Sequence, residues 1–344
     1  MTPAAGRPGA WMAAETAEQP AVLAGLLSGR VGIDEVVQTV RAYRPHTVMF
    51  AARGSSDNAA LYGSYLVQTI LGVASGLCSP STTTVYGARP DLHGVLFVTV
   101  SQSGTSPDLV ESTRVAEECG ALTVAVTNDP TSALAEVAAH VVDVHAGVEH
   151  AVAATKSYTA ELLALYLLVA GAAGRLDRES LAALPDAAAG TLDASVAAEA
   201  LAAKYRTVDR VVVTARGYSY PTAREAALKL METCYLSAHP FSGADLLHGP
   251  LAMVDADVPV IAVATPGRSG RAMEPVVERL RGLGCDPLLV GPADGLPVVT
   301  DGIVEELWPV VEILPLQRLA RRMAADRGLD PDHPRGLRKI TQTR

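Results

Sequence analysis

The feature that most constrains the fold is a strand–turn–helix unit that occurs twice in the chain. Residues Val48–Ser56 (VMFAARGSS) match Val211–Ser219 (VVVTARGYS), which lie 163 positions later. Two further strand-like segments match at a spacing of 164 residues: Leu96–Val100 with Val260–Ala264, and Thr123–Val126 with Pro287–Val290. Three matches at nearly the same spacing indicate a duplicated α/β unit.

Within each copy, short β-branched runs alternate with Ala/Leu-rich helical stretches. Nearly continuous apolar strands that alternate with helices are typical of a parallel sheet covered by helices on both faces. In the first half the predicted strands are Thr47–Ala51, Gly94–Val100, Leu122–Thr127 and His140–Val144. The predicted helices are Asn58–Leu71, Ser106–Cys119, Ser132–Ala139 and one from about Thr155. We therefore expect an α/β fold of two domains, each a flavodoxin-like or Rossmann-like three-layer sandwich.

The length of 344 residues and the hydrophobic content of 49% suffice for two cores. The expected organisation is an N-terminal helical segment (1–45), a first domain (46–183), an Ala-rich helical linker (184–205), a second domain (206–328) and a C-terminal tail (329–344).

Composition excludes several kinds of partner and site. The net charge of −9 argues against a nucleic acid or a membrane surface as the main partner. The four cysteines lie far apart with no metal-ligand spacing, so we expect no metal site. We also expect no cofactor. The longest apolar run, Leu162–Gly174, is shorter than the roughly 20 residues that span a bilayer. The N-terminus lacks the apolar core of a signal peptide, and we expect a cytoplasmic protein.

A serine-rich turn follows the second predicted strand, in the segment VTVSQSGTSP that ends at Pro107. Small hydroxyl residues surround Gly104, and a helix begins with Ser106 as N-cap and Pro107 at its first position. Backbone N–H groups and the helix dipole at such a turn suit a phosphate, although an ordinary capped loop has the same residue types. The turn matches neither the Walker nor the dinucleotide-binding pattern.

A second candidate lies on the helix around Lys229. Glu225, Leu228, Glu232 and Tyr235 recur at helical spacing, which places Glu232 in line with apolar residues and Lys229 beside it. A desolvated carboxylate at Glu232 would suit a general base near neutral pH. A surface ladder of Glu–Lys–Glu pairs fits the same spacing, and the residues alone leave both interpretations open.

Two further segments carry functional side chains. His248 stands in a Gly-Pro turn (LLHGP), where a histidine is more often simply solvated. Residues 318–344 hold eight basic and three acidic residues in an acidic chain, and this segment ends in PRGLRKITQTR. Taken singly, such a segment is in most chains an exposed basic tail.

The order of these motifs resembles the tandem sugar isomerase (SIS) domain family. The matching segments are SQSG, AATKSYT, EAALKLMETCYLSAHPF, LLHGPLAMVDADVPVIAV and PRGLRKI, spread over roughly residues 45–344. The family includes the isomerase half of glutamine–fructose-6-phosphate aminotransferase and stand-alone amino-sugar-phosphate deaminases and isomerases. The resemblance implies an enzyme with two tandem SIS domains that acts on a sugar phosphate.

The resemblance also implies roles for individual residues. Those that would bind the substrate are Ser101, Gln102, Ser103 and Ser106 at the phosphate, Ser56 near the sugar hydroxyls, and Val152 through its backbone. Those that would act in catalysis are Glu232 as the base between C1 and C2, Lys229 beside it, His248 in ring opening, and Lys339 at the open-chain carbonyl. The histidine comes from the neighbouring subunit in the family, so the resemblance implies a homodimer.

Departures from the family pattern bear on the reaction. We expect no glutaminase domain before the tandem, which favours conversion of glucosamine 6-phosphate to fructose 6-phosphate and ammonia, or isomerisation without amine transfer. Met231 and Arg338 stand where related sequences carry other residues, and they leave the substrate open. One alternative is a dehydratase that acts on N-acetylglucosamine 6-phosphate with the same base. Another is a sugar-phosphate-binding regulatory module, although we expect no DNA-binding segment before the first domain.

Overall fold

The chain folds as two compact units. The computed structural model describes residues 7–339, apart from the side chains of residues 197 and 198. Among these, the first unit comprises Ala21–Glu149 and Lys156–Arg178, and the second comprises residues 7–20, His150–Thr155 and Glu179–Lys339. The loop His150–Thr155, which contains Val152, therefore packs with the second unit although the chain on both sides of it belongs to the first.

Each unit is built on a parallel sheet of five strands. The first sheet contains β1 (Thr47–Ala52), β2 (Ala74–Leu77), β3 (Val95–Ser101), β4 (Leu122–Thr127) and β5 (His140–Asp143), in the order β2-β1-β3-β4-β5. The second contains β6 (Arg210–Ala215), β7 (Ser237–Ser242), β8 (Val260–Val263), β9 (Leu288–Gly291) and β10 (Leu296–Pro297), in the order β7-β6-β8-β9-β10. The two orders are equivalent and flavodoxin-like, which confirms the predicted duplication and fold class.

Helices connect and cover the strands. They are α1 (Ala10–Ser28), α2 (Val31–Tyr43), α3 (Ser55–Leu66), α4 (Ser81–Thr84), α5 (Pro107–Glu118), α6 (Ala133–Val137), α7 (Lys156–Ala172), α8 (Arg178–Ala194), α9 (Ala198–Ala202), α10 (Tyr220–Cys234), α11 (Gly243–Leu247), α12 (Arg268–Gly282) and α13 (Trp308–Asp326). Every residue of α7 is buried, so the longest apolar run of the sequence lies largely in a core helix. No helix among residues 7–339 is both long and apolar enough to cross a membrane.

Some predicted elements differ from the observed ones. The predicted helix Asn58–Leu71 is α3 followed by a π-helical turn over Val67–Leu71. Strands β2 and β7 were not predicted, and both lie at an edge of their sheet. Pro240 lies inside β7, where an edge position tolerates a residue that cannot donate a backbone hydrogen bond.

The sheet order determines where a ligand site can form. In this topology the chain leaves β1 and β3 toward opposite faces of the sheet, and the crevice at their carboxyl ends is the usual ligand position. In the first unit the turn after β1 holds Arg53–Ser56, and the turn after β3 holds Ser101–Ser106. In the second unit the corresponding strands are β6 and β8.

Candidate functional site

The serine-rich turn of the first unit has a backbone fixed from two sides. The carbonyl of Gln102 accepts a hydrogen bond from the N–H of Asn128 at 3.2 Å, and the carbonyl of Gly104 accepts one from Leu134 N at 2.9 Å. Gly104 has φ of +60°, and a Cβ atom there would lie 2.0 Å from Ser132 Oγ. Only glycine fits this conformation and this close approach, so the observed backbone of the turn requires glycine at position 104.

The hydroxyl groups of the turn differ in how they are engaged. Ser101 Oγ is buried and accepts from the N–H of Gly104 at 3.2 Å, whereas Ser103 Oγ lies 3.0 Å from Thr105 Oγ1. Ser106 is the N-cap residue of α5 and Pro107 is at its first turn, as predicted, but the Ser106 side chain makes no capping hydrogen bond. Its hydroxyl therefore remains able to bind a ligand at the helix N-terminus, where the dipole favours an anion.

Two side chains near this turn, Arg53 and Glu161, were not singled out from the sequence. Arg53, in the turn after β1, donates to Asp108 Oδ2 through Nε at 3.0 Å and through Nη2 at 2.9 Å. Ser56 donates its hydroxyl hydrogen to Glu161 Oε1 at 2.8 Å, which leaves the Ser56 oxygen as an acceptor. The arginine had a signal, because the ARG sequence after β1 recurs after β6, but Glu161 lies on α7, far along the chain.

In the second unit, Lys229 lies between two carboxylates of α10. Its Nζ is 3.2 Å from Glu225 Oε1 and 2.7 Å from Glu232 Oε2. The side chains of Lys229 and Glu225 have no exposure, so a surface ladder is excluded, while Glu232 retains 20%. Glu232 is therefore only partly desolvated. Glu225 is the fully buried carboxylate, and Glu232 is an ion-paired one with access to solvent.

Lys229 is a fixed cation. Burial alone would lower the pKa of its ammonium, but the charges of Glu225 and Glu232 and their hydrogen bonds outweigh burial and raise that pKa. Removing the proton would leave two carboxylates close together, which is strongly unfavourable. Lys229 thus holds Glu232 in place and keeps a positive charge beside it at all moderate pH values.

The C-terminal segment of the second unit is anchored by specific contacts. The backbone N–H of Arg335 donates to Tyr235 Oη at 2.6 Å, and the Arg335 guanidinium lies 4.8 Å from the centre of the Tyr235 ring. Lys339 Nζ donates to the carbonyl of Ala151 at 2.7 Å. The N–H of Val152 donates to the carbonyl of Asp332 at 3.2 Å, so the Val152 carbonyl is the backbone group left for a ligand. The tail up to Lys339 is therefore docked, and its last predicted residues, 340–344, lie outside the described part.

His248 and the two departures from the family pattern are exposed. His248 ends α11, and its N–H donates to the carbonyl of Asp245 at 3.0 Å. Its imidazole is exposed, as is the side chain of Arg338. Met231, on α10, has 39% exposure. Each of the three side chains is thus accessible to a ligand or to another chain.

A separate buried carboxylate lies at the carboxyl end of the second sheet. Glu312, on α13, accepts from Ser219 Oγ at 2.9 Å and Thr222 Oγ1 at 3.3 Å. Burial raises the pKa of Glu312 to about 7, although these hydroxyls lower it. Ser219 is the repeat of Ser56, so each unit pairs this serine with a buried glutamate. In the described part of the chain, no group of three or more His, Cys, Asp or Glu residues could hold a metal.

The chain is similar to curated proteins that are considerably longer than it is. The chain is 34% identical over 318 residues to the glutamine–fructose-6-phosphate aminotransferase [isomerizing] of Methanothermobacter thermautotrophicus. The matched region covers 89% of this chain and 53% of that protein. The chain is 33% identical to the protein of the same name from Gloeobacter violaceus, with coverage of 96% and 58%. The chain thus spans a little over half the length of these relatives.

Solved structures show the same architecture. A protein from Silicibacter pomeroyi DSS-3 with the provisional name phosphosugar isomerase is 33% identical, with a TM-score of 0.85 and coverage of 94% of this chain and 99% of that one. The C-terminal domain of glucosamine-fructose-6-phosphate aminotransferase from Francisella tularensis is 25% identical, with a TM-score of 0.82 and coverage of 94% and 98%. A glucosamine-6-phosphate deaminase from Thermotoga maritima, at 21% identity and a TM-score of 0.79, shares the fold over 97% of this chain.

The chain also matches the model of a protein family, in agreement with its duplicated sheets and its serine-rich turn. The model of the SIS domain covers residues 43–171 and 204–290, which together are well over half of the chain. These ranges include strands β1–β5 of the first unit and β6–β8 with most of β9 of the second. The chain therefore belongs to the SIS domain family.

Proposed function

We propose that the chain is a phosphosugar isomerase that acts on an amino-sugar 6-phosphate and releases its amine. The reaction consumes glucosamine 6-phosphate and water and yields fructose 6-phosphate and ammonia. The observation that carries the proposal is the Lys229–Glu232 pair, in which the Glu232 carboxylate is held by a buried ammonium and remains partly exposed to solvent. The names of the relatives support the substrate class.

In this proposal the serine-rich turn binds the phosphate. Ser101, Gln102, Ser103 and Ser106 surround the N-terminus of α5, which supplies partial positive charge. The oxygen of Ser56 accepts a hydrogen bond from a sugar hydroxyl, because its own hydrogen is donated to Glu161. The Val152 carbonyl accepts another. These groups position the sugar and need not change during the reaction.

The proton transfers involve the second unit. His248 protonates the ring oxygen as the ring opens and O1 gives up its proton, and Lys339 holds the oxygen of the resulting C1 carbonyl by its charge. Glu232 removes the proton from C2 and returns it to C1 while O1 is protonated, which leaves an imine at C2. The Lys339 amine displaces ammonia from C2 as an imine of its own, and water hydrolyses that imine to fructose 6-phosphate and free Lys339; if Lys339 acts only by its charge, water hydrolyses the first imine directly and releases ammonia. Lys229 acts through Glu232 and is a positioning residue, since its buried ammonium contacts the two carboxylates of α10.

The direct test is to incubate the purified chain with glucosamine 6-phosphate and to measure ammonia and fructose 6-phosphate. Glu232→Gln is the matched control, because it retains the shape of the side chain and cannot accept the C2 proton. We expect release by the wild type and at least a hundredfold less by the variant. Equal release by both proteins would refute the role of Glu232. Loss of water from N-acetylglucosamine 6-phosphate without ammonia would instead support a dehydratase.

We further propose a homodimer in which His248 serves the site of a second copy. Its exposed imidazole supports this assignment. The test is to mix two inactive variants, Glu232→Gln and His248→Ala, under conditions that exchange subunits. A mixed dimer holds one site with both residues intact, so an equal mixture should regain about a quarter of wild-type activity. If the mixture stays inactive while the subunits exchange, each chain uses its own histidine.

A further inference from the structure

Helix α1 precedes the residues that the family model matches, yet it carries a buried carboxylate aimed at a functional loop. Glu15 has 2% exposure. It accepts hydrogen bonds from the backbone N–H of His150, at short range, and of Ala151, at 3.2 Å. Burial of a carboxylate is costly, and hydrogen bonds to a charged acceptor are among the strongest in proteins. The loop is therefore held firmly at these two residues.

The peptide group that follows is held at both of its polar ends. The Ala151 carbonyl accepts from Lys339 Nζ at 2.7 Å, and the Val152 N–H donates to the Asp332 carbonyl at 3.2 Å. Glu15 fixes the peptide immediately before this one. The orientation of the Ala151 carbonyl, and with it the location of the Lys339 ammonium, therefore depends on the Glu15 contact.

The same helix also holds the segment that carries Lys339. The carboxylate of Asp332 accepts from the N–H groups of Trp11 at 3.0 Å and Met12 at 2.8 Å, at the N-terminus of α1. The ring of Trp11 lies 4.0 Å from that of His150, measured between centroids. One helix thus contacts both sides of the Lys339–Ala151 hydrogen bond.

We propose that Glu15 is a positioning residue, which orients the Ala151–Val152 peptide so that Lys339 is held where the open-chain carbonyl forms. The inference rests on the proposed function, because Lys339 is assigned there to the carbonyl. It assigns a role to α1, which lies before the matched ranges that begin at residue 43.

The first test is kinetic and uses Glu15→Gln. The amide keeps the size of the side chain, but it has one acceptor oxygen and presents an NH₂ group toward the loop. We expect kcat for glucosamine 6-phosphate to fall about 10- to 100-fold, because small displacements of a reacting group have effects of this size. KM should change less than kcat, because the serine-rich turn that binds the phosphate is untouched and only the nearby Val152 carbonyl is affected. Glu18→Gln, an exposed position on the same helix, is the matched control and should behave as the wild type.

The second test does not depend on activity. Acetic anhydride labels lysine ammonium groups, and the chain has only four lysines, which mass spectrometry can quantify separately. In Glu15→Gln, Lys339 should be labelled several-fold faster than in the wild type. Lys204, whose side chain is 60% exposed, is the internal reference and should be labelled equally in both proteins. Glu15→Asp keeps the charge and should restore part of both properties, which also covers the case that Glu15→Gln folds poorly.

The outcomes separate the two proposals. If the wild type releases ammonia and Glu15→Gln retains both its kcat and its Lys339 labelling rate, the inference about Glu15 is wrong and the proposed function stands. If labelling rises but kcat does not change, Glu15 is only structural and the inference is likewise wrong. If the wild type is inactive, the proposed function fails, and an unchanged labelling rate would also remove the positioning role.

Discussion

At the scale of single residues, the chain uses Arg for almost all of its positive charge. Only four of its 28 basic residues are lysines, and one of them, Lys339, is the C-terminal group assigned to the sugar carbonyl. A primary amine can form an imine with a carbonyl, and a guanidinium cannot. A lysine at position 339 could therefore form an imine that an arginine there could not.

This leads to a prediction for Lys339→Arg. The variant keeps the charge and the fold but should lose most of the ammonia release, because no imine can form. Lys204→Arg, at an exposed position that pairs with Asp286 at 3.6 Å, should have wild-type activity. The measurement is kcat for both variants with glucosamine 6-phosphate. A fully active Lys339→Arg would show that this residue acts only through its charge.

The buried acid Glu312 predicts how stability depends on pH. Its pKa is about 7 in the folded chain, raised by burial from an ordinary value of 4.5. The folded state therefore holds this proton to higher pH, and its stabilising contribution is complete below pH 4.5 and lost as pH rises through 7. The difference corresponds to about 3 kcal/mol in the free energy of unfolding.

Glu312→Gln stays neutral at every pH, so it should abolish this dependence. Denaturant unfolding at pH 5 and pH 8 checks the expectation: relative to the wild type, the variant should gain stability at pH 8. Glu278→Gln, at an exposed position of α12, is the control and should follow the wild type at both pH values. Parallel pH profiles for wild type and Glu312→Gln would contradict the assigned pKa.

At the scale of elements, α10 combines a buried cation with two carboxylates. Lys229→Met should leave Glu225 buried without its cation, and removal of one member of a buried pair costs about 3–5 kcal/mol. We expect the midpoint of urea unfolding to fall accordingly, with a loss of activity because Glu232 is no longer held. Arg279→Met, at an exposed position of α12, is the control and should cost much less. Equal losses in the two variants would exclude a special role for the Lys229 cluster.

The elements also show why some predictions succeeded. Strands β3 and β4 are central, buried on both faces and recognisable as continuous apolar runs. The edge strands β2 (ASGL) and β7 (SAHPFS) lack that pattern, because most of their side chains are not buried. Neither strand has a continuous run of buried apolar side chains, so local sequence did not identify them.

At the scale of the whole molecule, duplication has produced two similar turns with different side chains. At the spacing of 164 residues, Pro266, Gly267 and Gly270 stand where Gln102, Ser103 and Ser106 do. The N–H of Ser269, at the start of α12, already donates to Glu305 Oε1 at 2.7 Å. The second turn thus lacks side-chain polar groups at these three positions, and a carboxylate of the chain itself occupies its helix N-terminus.

We therefore predict one sugar-phosphate site per chain. Calorimetric titration with fructose 6-phosphate should give a stoichiometry of one, and Ser103→Ala should weaken binding about tenfold or more, since a hydrogen bond to a charged group is lost. Ser269→Ala is the matched control in the second unit and should bind as the wild type. A stoichiometry of two, or a loss of affinity in the control, would mean that the second turn also binds the ligand.

The sequence by itself determined the duplicated α/β fold and the serine-rich turn, because periodicity and the spacing of turn residues are encoded by neighbouring residues. The resemblance to the SIS family, also read from the sequence, drew attention to the segments that carry Glu232, His248 and Lys339. Only the tertiary structure decided that Lys229 is buried between two carboxylates, that the loop His150–Thr155 packs with the second unit, and that Glu15 and Lys339 meet at Ala151. The last two contacts join residues 136 and 188 positions apart, and such pairs depend on the path of the whole chain, because no local pattern specifies which distant backbone group a side chain will reach.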